Sequence, residues 1–188
     1  MANQNTTPFG QLSFPHLYTP RPASPGAEPK YSLSLLLDKE AQSSPEYVSL
    51  KQQIMDAARQ KWGNKADEMI KNGSIRLPIQ DAAKKSQYDG YEEGKVFINM
   101  SSNKAPGVID GALRDVAEAD VYPGCVGRCT YGVYAYDNVS KGVAVGLNNV
   151  QITDFTAPRL DGRIAANKDF DSMDMAVAPM EHDDEIPF

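Results

Sequence analysis

The 188-residue chain has only two cysteines, two histidines and one tryptophan, and no long apolar run. Two cysteines do not make a disulfide framework. Without 18 uninterrupted apolar residues no membrane span is expected. The opening Met1-Ala2-Asn3-Gln4-Asn5-Thr6-Thr7 lacks a basic stretch and an apolar stretch, so no signal peptide is expected. These absences describe a soluble protein of a reducing compartment.

The usual catalytic signatures are missing too. There is no His-Glu-x-x-His, no Gly-x-Ser-x-Gly and no Gly-x-Gly-x-x-Gly. Gly90-Tyr91-Glu92-Glu93-Gly94-Lys95-Val96 approaches a phosphate loop, but it is one residue short and lacks the magnesium-holding hydroxyl. Cys125 and Cys129 lie four apart on a strand pattern and so point the same way. Zinc needs four ligands, and only His16 and His182 remain as imidazoles. The two thiols read as small core residues. Asp169, Asp171 and Asp174 lack the glycine and closing glutamate of a calcium loop. No catalytic residue, metal or cofactor is expected, and the chain is not read as an enzyme.

There is no excess of base. Net charge is −6 and the pI is 4.9. Residues 168–188 hold seven acids and one base, so they carry all of that charge, and residues 1–167 hold 18 of each sign. The acidic pI therefore leaves room for a basic groove on the body. A body of about 150 residues buries roughly 70% of its unfolded surface, enough for a core without staples.

Periodicity outlines the body. Pro20, Pro22, Pro25 and Pro29, with Gly26, mark a loop. Residues 30–37 alternate, with Tyr31, Leu33, Leu35 and Leu37 on one face, which predicts a strand. Ser44-Pro45-Glu46 is a helix start, and Tyr47, Leu50, Ile54, Ala58 and Trp62 recur at helical spacing. A shorter helix is expected over 65–71, ended by Asn72-Gly73. Ile75–Ile79 reads as a short edge strand because of Pro78, and 80–94 as a hairpin loop. Lys95–Met100 reads as a strand with Phe97 facing away from the core. Asn103–Asp120 reads as loop, with a helical turn near Arg114–Glu118. Cys125–Asp137 and Val143–Thr153 form a long hairpin. The apolar phase flips at Asn148-Asn149, which signals a bulge. About five strands with one early helix, and glycines at 124, 127, 132, 142 and 146, suggest a small antiparallel barrel. Domain organisation is expected as a body over 1–159 and a disordered acidic tail over 160–188.

The tail ends Asp183-Asp184-Glu185-Ile186-Pro187-Phe188. An acid cluster followed by an aromatic residue and a terminal carboxylate suits a basic pocket on a partner protein. This ending resembles the Asp-Asp-Asp-Ile-Pro-Phe terminus of bacterial single-stranded DNA-binding proteins, with Glu185 in place of aspartate. The body differs from the bacterial protein, whose chain has no long early helix. Gly10-Gln11-Leu12-Ser13-Phe14-Pro15-His16-Leu17-Tyr18, the strand and helix of 30–62, and Gly142–Gln151 instead resemble bacteriophage single-stranded DNA-binding proteins related to that of T7-like phages. The resemblance implies a mainly β fold with an inserted α-helix. That fold is an OB-fold, a five-stranded antiparallel Greek-key barrel with an acidic arm. It also implies coating of single-stranded DNA, replication and recombination partners recruited through the tail, and the cytoplasm of the infected bacterial host. No membrane is involved, and a homodimer is left open.

Sequence-independent binding of single strands needs aromatic platforms and cations along a groove. The expected contacts are Lys84, Lys85, Tyr88 and Tyr91 on the loop, Lys95 and Phe97 on one strand, and Arg128, Tyr134 and Tyr136 on another. The competing reading packs a strand-face tyrosine under the helix. Two other functions fit less well: a replication adaptor that binds a partner through its tail without touching DNA, and a nuclease or recombinase subunit.

Overall fold

The computed structural model describes residues 5–163 and 169–173. Among them the order is β1 (Gly10–Pro22), β2 (Pro29–Leu37), α1 (Pro45–Trp62), α2 (Ala66–Lys71), β3 (Ile79–Asp81), β4 (Val96–Ser102), β5 (Gly107–Asp110), β6 (Val126–Asp137) and β7 (Lys141–Asp154). The strands form one sheet in the order β3-β4-β2-β1-β6-β7-β5. An additional β4–β7 pairing closes β4, β2, β1, β6 and β7 into a ring. Inside it lie Leu12, Leu35, Ile98, Met100, Tyr131 and Val145, all essentially inaccessible.

The fold is mainly β with an inserted helix, as expected, but the all-antiparallel five-stranded count is corrected. Seven strands are present among the described residues, and the β4–β7 and β5–β7 pairings are parallel. Parallel partners need a long crossover, and the connections from β4 to β7 and from β5 to β7 supply it. β1 was not expected as a strand, and it runs through Pro20 and Pro22, which were read as loop. Those prolines are tolerated because only β2 pairs with this end of β1. β5, in a stretch whose sequence reads as loop, is four residues long. The edge strand expected at 75–79 begins at Ile79, and Arg76 instead bridges to Gly142. The turn expected near 114–118 lies at Glu118–Asp120.

α1 forms where its caps and apolar spacing put it. The Ser44 hydroxyl accepts from the Tyr47 N–H at 3.3 Å, and a cap of this kind contributes about 1 kcal/mol. Tyr47, Leu50, Ile54 and Ala58 are buried against the barrel, each large side chain contributing roughly 1.5–3 kcal/mol. The β6–β7 hairpin slips register where Thr130 faces Asn149 but Tyr131 faces Leu147, which makes Asn148 the extra residue of a bulge. Cys125 and Cys129 are free and buried.

After β7 the chain stays on the body. The Tyr122 hydroxyl donates to the Ala157 carbonyl at 2.7 Å, and the Leu160 N–H donates to the Pro123 carbonyl at 2.8 Å. Residues 160–163, which the sequence assigns to the tail, are among the described residues. The rest of the tail expectation, including Asp183, Asp184, Glu185, Ile186, Pro187 and Phe188, lies outside the described residues apart from 169–173, which are exposed.

Candidate nucleic-acid interface

Strand alternation sends Leu33, Leu35, Ile98 and Met100 inward, so their neighbours Ser32, Ser34, Leu36, Phe97, Asn99 and Ser101 point outward. The register sets Ser32 opposite Ser101 and Ser34 opposite Asn99. Ser101 pairs with Gly146 of β7, Gly146 faces Gly132 of β6, and His16 of β1 stands opposite Ser32. A band of mostly small, polar side chains therefore crosses the outer face of the barrel.

Aromatic groups stand at both ends of the band. Tyr134, 49% exposed, lies over Gly146, where a side chain would come within 3.6 Å of the ring. Tyr136 covers Gly142 and is half-buried. At the opposite end β1 slips register between Ser13 and His16. Within that slip Phe14 adopts φ 48°, a region that disfavours side chains. The distortion turns the Phe14 ring outward, 41% exposed, where it meets Tyr88 edge-on at 5.1 Å. Tyr88 is 44% exposed. Lys84, four residues before it, is exposed, and the Lys85 ammonium sits 4.6 Å from the centre of the Phe97 ring.

Of the nine expected contacts, Lys84, Lys85 and Tyr88 come together on one loop and Tyr134 and Tyr136 on the hairpin. Phe97 and Tyr91 are corrected as platforms. Phe97 does face away from the main core, but loop 82–95 folds over it and leaves it 0% exposed. With Leu36, Ala82 and Tyr91 it forms a second small core. The Tyr91 hydroxyl donates to Ser13 Oγ at 3.1 Å, and burial pushes its pKa up. Lys95 pairs with Glu92 at 3.1 Å. Arg128 lies on the same strand face as Tyr134, six residues and so about 20 Å away. It donates to Gln151 at 2.9 Å and stacks 5.0 Å from the Phe9 ring. Phe9, Lys95 and Arg128 share a cleft of about 610 Å³, whose wall also carries Asp38, Glu40 and Glu46.

Sequence reasoning missed Phe9 and Phe14. Phe9 precedes β1, so no strand period marks it, whereas Pro15 beside Phe14 hints at the register break. Among the described residues no cluster of three or more His, Cys, Asp or Glu is placed to hold a metal ion. No helix among them is long and apolar enough to cross a membrane.

Known proteins share this fold. The structure matches the single-stranded DNA-binding protein of bacteriophage Enc34 in complex with ssDNA, with a TM-score of 0.64 and 21% identity over 78% of this chain and 84% of that one. It also matches the single-stranded DNA-binding protein encoded by bacteriophage T7, with a TM-score of 0.60 and 12% identity over 88% of this chain and 99% of that one. Protein p50 of Acyrthosiphon pisum secondary endosymbiont phage 1 is 32% identical over 172 residues, which span 88% of this chain and 91% of p50. The family model of the Enterobacter phage Enc34 ssDNA-binding protein matches residues 7–183. The chain therefore belongs to the Enc34 phage ssDNA-binding protein family.

Proposed function

We propose that this protein binds single-stranded DNA without sequence preference and coats it during replication and recombination in the cytoplasm of the infected bacterium. The observation that carries this reading is the pair of exposed rings, Phe14 and Tyr88, on and against a loop that also carries Lys84 and Lys85, at the edge of a small-residue band that ends on Tyr134. Bases stack on any aromatic face, and backbone phosphates attract cations, so such a surface reads no sequence. Small side chains along the band let a strand lie close to the sheet between the two aromatic ends. The closed ring of β4, β2, β1, β6 and β7 serves as the OB barrel, with β3 and β5 as additions to it. Arg128 with Phe9 extends the surface past the loop. Asp183, Asp184, Glu185, Ile186, Pro187 and Phe188 recruit replication or recombination proteins.

The test is fluorescence anisotropy of labelled oligo-dT titrated with the full chain at moderate salt. Saturable binding at submicromolar protein, unchanged for oligo-dA of the same length, supports the reading. Absence of binding up to micromolar protein would leave the tail-only adaptor as the better account.

A further inference from the structure

We propose that Leu160 is a positioning residue that holds the Tyr88 loop in the geometry needed for base stacking; this rests on the DNA-binding reading above. Loop 82–95 projects from the β3–β4 hairpin and carries Tyr88 at its exposed face. Its turn at Gly90 has φ +82°, which glycine alone adopts readily. Leu160 occupies the space that a side chain at Gly90 would need: a Cβ built there would stand 2.7 Å from Leu160 Cδ2. Leu36 Cδ2 would lie 3.5 Å from the same point, so Leu160 and the second small core meet at this turn.

Leu160 is itself fixed from outside the loop. Its N–H donates to the Pro123 carbonyl. The preceding Arg159 pairs with Asp161 at 2.7 Å and stacks 4.7 Å from the Tyr122 ring. Leu160 and Asp161 line one cleft with Phe14, Gln87, Tyr88 and Asp89. The segment after β7 thus props the loop from its open side, against a frame built by residues 122–124. A loop held in its binding geometry loses less conformational freedom when DNA arrives. Truncating Leu160 removes the prop without removing a ring or a charge.

A double-mutant cycle on the full chain tests this, with oligo-dT affinity as the readout and circular dichroism melts to fix a temperature at which every variant is folded. Leu160→Ala should weaken binding about fivefold and Tyr88→Ala about tenfold, the size of one lost stacking platform. The double variant should bind like Tyr88→Ala alone, because residues acting through one another are not additive. Leu160→Met, which keeps the volume, should restore wild-type affinity. Independent losses that multiply in the double variant overturn the proposal, as does a Leu160→Ala variant that binds normally or more tightly, or a Tyr88→Ala variant with no defect. Failure of the wild-type chain to bind oligo-dT at all is a different result and removes the DNA-binding reading itself.

Discussion

Phe14 separates binding from stability. Its backbone sits at φ 48°, where a side chain costs about 1–2 kcal/mol and glycine costs little. Its ring contributes an edge-on contact with Tyr88 at 5.1 Å, worth about 0.5–1.5 kcal/mol beyond burial. Phe14→Gly removes both at once, so strain relief and lost contact nearly cancel. The greater freedom of glycine in the unfolded chain adds a loss of about 0.5–1 kcal/mol. Loss of the part-buried ring, 41% exposed, adds about 1–2 kcal/mol, so the net loss should be about 2–3 kcal/mol, which for a chain of this size moves Tm by about 4–12 °C. Binding has no such compensation, because a stacked base is worth about 1–3 kcal/mol, or roughly 5- to 150-fold in affinity. Oligo-dT anisotropy and a thermal melt on the same sample measure the two effects. Unchanged affinity with an unchanged Tm would refute the role of Phe14 as a platform. A fall in Tm far beyond the range above would show that the ring belongs to the fold.

Three further outcomes follow from the same geometry. Phe97→Ala should cost about 3–5 kcal/mol in urea unfolding, as expected for a fully buried aromatic side chain; a loss below 1 kcal/mol would mean the loop does not cover it. Arg128→Ala should make the log–log salt slope shallower by about 0.7 if its free edge meets one phosphate of a single strand, and an identical slope would remove Arg128 from the interface. Burial pushes the Cys129 thiol up to about 12, from an ordinary value of 9. The unfolded chain therefore loses that proton first, and stability should fall as pH rises from about 9 towards 12. Buried Tyr91 and Tyr131, also shifted upward by burial, act in the same direction. Urea melts showing equal stability at pH 8 and pH 10.5 would contradict this.

Local signals in the sequence revealed the helix and the long hairpin because those elements carry their own punctuation. Ser44-Pro45 caps α1, and the phase flip at Asn148 marks the bulge. β1 was hidden for a physical reason: a register slip at Phe14 and prolines at 15, 20 and 22 break the alternation that identifies strands. β5 is too short to show a period. Parity on β4 was legible, since Phe97 does face away from the main core. What parity does not reveal is that a loop from the neighbouring hairpin returns to cover that face. Leu36 was the clue, an apolar residue on the otherwise polar side of β2, because Leu36, Phe97 and Tyr91 bury one another. The candidate rings and lysines could be named from the composition of one loop and one hairpin. The exposure of Phe14 accompanies a backbone distortion that only the folded strand displays.

A chemical-shift footprint of oligo-dT on the full-length protein would locate the bound strand. DNA lying along the small-residue band should perturb Phe14, Ser32, Tyr88, Asn99, Ser101, Gly146 and Tyr134, tracing a path across the outer face of β1, β2, β4, β7 and β6. Val48 and Gln52 on the exposed side of α1 should not move. Perturbations concentrated on α1, or absent along the Ser32–Ser101–Gly146 band while binding is saturated, would contradict this path.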